Sequence, residues 1–132
     1  MKDFLTGLNN HIYQQDDLSN NWRKAINLGT ARTGKQFSIN GFLGGVNRRD
    51  IYDSVDRLQF NVNRNLHLEL DTDPSVITEL VRFERGQAFV VDSIEYGESL
   101  SLNLSPGRYG LSFFVEGDLI NYHVNAQFSS IF

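Results

Sequence analysis

The stretch Ser99-Leu100-Ser101-Leu102-Asn103-Leu104-Ser105-Pro106-Gly107-Arg108-Tyr109-Gly110-Leu111-Ser112-Phe113-Phe114-Val115-Glu116 decides the fold. Leu100, Leu102 and Leu104 alternate with Ser101 and Asn103. After a break, Tyr109, Leu111, Phe113 and Val115 alternate again. A period of two sends one set of side chains to one face, which is the pattern of a half-buried strand. Between the two runs stands Ser105-Pro106-Gly107. Proline presets one backbone angle there and glycine accepts a positive one, so the segment turns.

The same period extends in both directions. Downstream, Gly117-Asp118 turns the chain into Leu119–Phe128, with Ile120, Tyr122, Val124, Ala126 and Phe128 in phase. Upstream, Val76–Glu84 and Ala88–Glu95 are β-rich runs separated by Arg85-Gly86-Gln87, a hairpin signal. Asn65–Asp71 aligns Leu66, Leu68 and Leu70, and Val55–Val62 aligns Leu58, Phe60 and Val62. Gln36–Leu43 alternates Phe37 and Ile39 with polar neighbours. About eight short strands with one apolar face each predict an all-β fold, a jelly-roll-like antiparallel β-sandwich.

The N-terminal region reads differently. Asp16–Gly29 has polar cap residues at its start, Arg23 and Lys24 later, and Gly29 as a left-handed stop, which predicts a short N-terminal helix. Trp22 and Ile26 would then face the core, with Trp22 as a plug beneath the helix. Residues 1–15 carry Phe4, Leu8 and Ile12 at a spacing of four, with Tyr13 beside them. On a helix these form one apolar stripe that needs a surface to bury against. Either it packs on its own domain or it is an arm that docks on a neighbouring subunit. The predicted organisation is an extended N-terminal arm over residues 1–15 and one β-sandwich domain over residues 16–132.

A set of ordered landmarks runs from Asn20 onward. They are Asn27-Leu28-Gly29, then Phe37-Ser38-Ile39-Asn40-Gly41-Phe42-Leu43-Gly44, then Asp53-Ser54-Val55-Asp56-Arg57-Leu58-Gln59-Phe60. Leu102-Asn103-Leu104-Ser105-Pro106-Gly107-Arg108-Tyr109 and Asn121-Tyr122-His123-Val124-Asn125 complete the set. In this order the landmarks resemble the bacterial pre-peptidase C-terminal domain family. Arg57-Leu58 stands where that family usually has two aromatic residues. The resemblance implies a jelly-roll-like accessory module without catalysis, serving binding or attachment.

Composition removes several function classes. The 132 residues include no cysteine, so disulfides, thiolate metal sites and cysteine nucleophiles are excluded. Sixteen acids against 12 bases give a net charge of −4, which argues against a nucleic-acid partner. No apolar run approaches the roughly 20 residues of a membrane-spanning helix. The start Met1-Lys2-Asp3-Phe4-Leu5-Thr6 is not a cleavable signal peptide, because Asp3 and Thr6 interrupt it. An extracellular, cell-surface or virion-associated location is nonetheless the expectation.

No nucleophile elbow or zinc-protease motif is present, and His67 and His123 fall on the polar sides of their strands, so an enzyme is not expected. Asp50, Asp53 and Asp56 are the candidate metal ligands, since calcium favours several loop carboxylates. Arg48, Arg49 and Arg57 flank them, which favours salt-bridged loop acids over a metal, and calcium is the one cofactor under consideration. Tyr52, Tyr96 and Phe114 are off-phase aromatics and form the candidate ligand surface, with glycan as the ligand class. The chain closes on Phe128-Ser129-Ser130-Ile131-Phe132, where polar residues are usual. Ile131 and Phe132 therefore join Phe4, Leu8, Ile12 and Tyr13 as candidate partner contacts. The leading expectation is a structural and interaction module, a decoration or adaptor subunit of a virion, injection device or surface layer. It would be a subunit of a larger or homo-oligomeric assembly. The alternative is a glycan- or calcium-binding accessory module of an exported protein.

Overall fold

The computed structural model describes residues 3–8, 12–15, 22, 23, 25–43, 55–95, 98–114 and 120–131. Eleven strands run through them: β1 (Asp3–Thr6), β2 (Ile12–Gln15), β3 (Ile26–Ala31), β4 (Gln36–Leu43), β5 (Val55–Val62), β6 (Leu66–Thr72), β7 (Ile77–Glu84), β8 (Gln87–Ile94), β9 (Leu100–Leu104), β10 (Gly107–Phe114) and β11 (Ile120–Ser130). They form a six-stranded sheet in the order β2-β1-β4-β11-β6-β9 and a five-stranded sheet in the order β3-β5-β10-β7-β8. The fold is an all-β sandwich.

Alternation places the core between the sheets. Leu58, Phe60 and Val62 of β5 meet Leu66, Leu68 and Leu70 of β6 and Tyr122, Val124, Ala126 and Phe128 of β11 in one buried cluster. Aromatic rings tie the two layers together. Phe60 stacks on Tyr109 within its own sheet at 5.8 Å, and meets Phe128 of the other sheet edge-on at 5.3 Å. Phe37 continues the series, 6.3 Å from Phe128.

The Ser-Pro-Gly turn carries the chain from β9 in one sheet to β10 in the other. Tyr109 Oη donates to the Ser105 carbonyl at 2.7 Å and accepts from Arg82 Nη1 at 2.7 Å. Arg82 Nη2 also donates to the Pro106 carbonyl at 2.8 Å. One guanidinium thus ties the turn back to β7, with Glu84 on its Nε at 2.9 Å. This is the structural reason for a tyrosine two residues after the glycine.

Three strands lie where none was expected. The helix predicted over Asp16–Gly29 is not present among the described residues, because Ile26–Ala31 is β3, paired parallel to β5. Gly29 does take a left-handed φ of 87°, but inside a bulge where the register shifts between Asn27 and Thr30. The Asn27 side chain accepts from the Gly29 N–H at 2.8 Å. A short helix earns little from propensity alone, whereas β3 satisfies the open edge of β5 and buries Leu28 and Ala31. The helical stripe of the first residues is replaced likewise. β1 and β2 are a hairpin on β4, with Leu5 opposite Tyr13 and Ile39. Leu5 and Leu8 are buried in the core of the chain itself.

Candidate functional site

β8 forms one edge of the five-stranded sheet and, among the described residues, pairs only with β7. Phe89, Val90 and Val91 lie on it with 50%, 60% and 45% of their surfaces exposed. They are the large exposed hydrophobic residues among those described, and all three are consecutive. The register shift between Leu80 and Val81 leaves Val91 between the pairs Val81–Val90 and Leu80–Asp92. Phe89 lies opposite Arg82 of β7. Its position on an edge strand, with no further strand beside it among the described residues, leaves it in solvent.

The hairpin β7–β8 turns through Arg85 and Gly86, which take φ of 52° and 78°. Beside this tip, on the outer face of the five-stranded sheet, lies a groove of about 500 Å³. Trp22, Arg23, Gln59, Phe83, Arg85, Gly86 and Arg108 line it. Its base is Gly110. A Cβ there would stand 2.5 Å from Trp22 Cζ3 and 3.0 Å from Phe83 Cε2. Trp22 therefore rests directly on the backbone of β10, in edge contact with Phe83 at 5.1 Å between centroids. The Arg57 guanidinium lies 4.7 Å over the Trp22 ring, and its Nε donates to Ser112 at 3.2 Å.

Gln59 organises the groove. Its amide nitrogen donates to the Trp22 and Ala25 carbonyls, each at 3.3 Å, which holds these two residues on the sheet. Its Oε1 then accepts from Arg108 Nη2 at 2.8 Å. Arg108 also reaches over Phe83, at 5.8 Å from the ring centroid. Trp22 was expected as a plug beneath a helix. It is instead half-buried on the outside of a sheet, because the segment that holds it runs along β5 rather than across the core.

Gly110→Ala is expected to lift Trp22 from the sheet, since the added carbon cannot share its space. Fluorescence of this single tryptophan should then shift to longer wavelength while strand content by circular dichroism is kept. Unchanged emission would mean that Trp22 does not rest on Gly110.

The remaining expected site residues are dispersed. Asp50, Asp53, Tyr52, Tyr96 and Phe132 lie outside the described residues. Asp56 was read as a loop acid but is the second residue of β5 and fully buried. Its Oδ2 accepts from Tyr122 Oη at 2.5 Å, across the two sheets. The reason is its phase, two residues before Leu58 on the inward face. Among the described residues, no three His, Asp or Glu side chains gather as a metal set would. Phe114 is partly buried at the end of β10, and Ile131 is partly exposed beyond β11. Phe4, Ile12 and Tyr13 are placed by their backbones, on β1 and β2.

His67 does meet a hydroxyl. Its Nε2 lies 3.0 Å from Ser101 Oγ and its Nδ1 lies 2.8 Å from Asn103 Oδ1. Glu69 stands 3.4 Å from the same Nε2. Hydrolysis would need a cleft and oxyanion donors beside that hydroxyl. Here the four residues lie across the paired strands β6 and β9, with His67 opposite Asn103 and Glu69 opposite Ser101. The arrangement is a cross-strand polar ladder.

No protein-family model matches the chain, and no curated protein matches it. Solved structures do. The pre-peptidase C-terminal domain of a collagenase from Bacillus anthracis superposes with a TM-score of 0.51 at 15% identity, covering 84% of this chain and 100% of that one. Aeromonas hydrophila PliG, a periplasmic lysozyme inhibitor of g-type lysozyme, gives 0.54 at 8% identity over 79% of this chain and 96% of that one. Salmonella Typhimurium PliG gives 0.50 at 16% identity over 80% of this chain and 100% of that one. At these identities the likeness is one of fold.

Proposed function

We propose that this chain is a non-enzymatic interaction module, of the pre-peptidase C-terminal kind, that binds a protein partner along β8 and so docks onto a larger assembly. The observation that carries this reading is the run Phe89-Val90-Val91, exposed on an edge strand. Edge strands of natural proteins are usually blunted by charge or proline, because bare edges recruit other chains. Gln87–Ile94 contains no lysine, arginine or proline, and its acid, Asp92, follows the three apolar residues. A partner strand added there would take up the outer backbone groups of β8 and cover the three side chains. The same fold in a collagenase domain and in inhibitors that act on g-type lysozyme supports a role in contact rather than catalysis, in an exported setting. A decoration or adaptor subunit of a virion, injection device or surface layer is the form of this role we favour.

A photocrosslinking residue at Val90, compared with one at exposed Asn103 on β9, tests the edge. The expected result in extracts of the native source is a discrete adduct from position 90, absent from position 103 and lost on Phe89→Lys. Identical adducts at both positions, or none at 90, would overturn the reading. Purified g-type lysozyme provides a defined partner for the same comparison.

A further inference from the structure

We infer that the groove beside the β7–β8 tip is a docking site for an acidic peptide segment, one with carboxylates on either side of an apolar side chain. The inference rests on the reading above that the chain binds a protein, and it names the chemistry of the segment bound. Charge gives the first argument. The whole chain carries −4, yet among the described residues three arginines and no acid line this groove. Two of them, Arg85 and Arg108, are exposed and make no ion pair among the described residues. Gln59 holds Arg108 at 2.8 Å through a neutral oxygen, which orients the guanidinium without neutralising it. A guanidinium held in that way can still offer a fork to a carboxylate.

The second argument is backbone strain. Arg85 holds a φ of 52°, in the left-handed region, at the first position of a two-residue hairpin turn. Such turns favour Asn-Gly or Gly-Gly, and a long side chain there is strained. The strain places an arginine on the groove wall, where asparagine or glycine would fold more easily.

The walls narrow the ligand class further. Phe83 and Trp22 supply apolar surface for a side chain between the carboxylates. Stacking of a sugar on Trp22 is hindered, because Arg57 occupies one face of the ring at 4.7 Å and Gly110 bears on its benzo edge. A lone phosphate would leave most of a 500 Å³ groove unused.

Trp22 is the only tryptophan and reports directly. The test titrates the full chain with acetyl-Glu-Glu-Phe-Glu-Glu-amide, with its all-glutamine counterpart acetyl-Gln-Gln-Phe-Gln-Gln-amide, and with polygalacturonate. The expected result is a saturable change in Trp22 emission with the acidic peptide, about tenfold weaker with the glutamine peptide and weakened severalfold when salt rises from about 0.05 to about 0.5 M. Arg108→Gln should weaken acidic-peptide binding about tenfold. Arg85→Gly should weaken it severalfold while holding or raising the melting temperature, since glycine relieves the φ. That second variant keeps the test decisive even if Arg108→Gln folds poorly. Equal response to both peptides, no response, unchanged binding by Arg85→Gly, or tighter binding of polygalacturonate would each overturn the inference. Peptide binding without adducts at position 90 would sink the β8 edge alone, and adducts without peptide binding would sink the groove alone.

Discussion

Phe60→Ala is expected to lower the unfolding free energy by about 4 kcal/mol, because a large buried ring is lost and the sandwich cannot close over the gap. Phe60 is fully buried at the crossing of the two layers. It stacks on Tyr109 in its own sheet and meets Phe128 of the facing sheet at 5.3 Å. Alanine would take one ring contact from each, and strands held in two sheets cannot collapse independently toward the void. The measurements are urea and thermal unfolding followed by Trp22 emission, with a drop in melting temperature of about 15 °C expected in the thermal scan. Phe89→Ala serves as the contrast. Half of that side chain is already in solvent, so its cost should stay within about 0.5 kcal/mol. Equal losses at the two positions would refute the assignment of core and edge.

Tyr122→Phe should cost about 2 kcal/mol, from one missing hydroxyl. Tyr122 and Asp56 are both fully buried, and their contact links β11 of one sheet to β5 of the other. Phenylalanine removes the donor but keeps the ring, which packs 6.2 Å from Phe113. The carboxyl group then loses a hydrogen bond in a place water does not readily restore. A double-mutant cycle with Asp56→Leu isolates the contact, and a coupling of about 2 kcal/mol is expected. Additive losses would mean that the two side chains stabilise the fold separately.

The groove was hard to see in the sequence because its residues come from distant segments, at positions 22, 23, 59, 83, 85, 86 and 108. One signal was available. Gly110 breaks the polar face of β10 between Arg108 and Ser112, and a glycine inside a strand marks a close approach of another group. The phase of β5 likewise placed Asp56 with Leu58 and Phe60, which argues for an inward carboxyl rather than a loop acid. Proximity of arginines to the aspartates in sequence suggested surface pairing there, but alternation sends Asp56 and Arg57 to opposite faces.

By itself the sequence determined the class of the fold and the bounds of its central strands, for period two is a local property that each strand carries in its own side chains. Gln36–Leu43 and Val55–Val62 are strands over the residues their alternation predicts. Only the tertiary structure decided which strands lie at the edges, that residues 26–31 join β5 in parallel, and that Trp22 lies outside the sandwich. Those outcomes depend on which backbone edge is left open and which face is left bare after every other strand has paired. A strand's own pattern shows that it has an apolar face, and neighbours far away in the chain decide whether that face is covered.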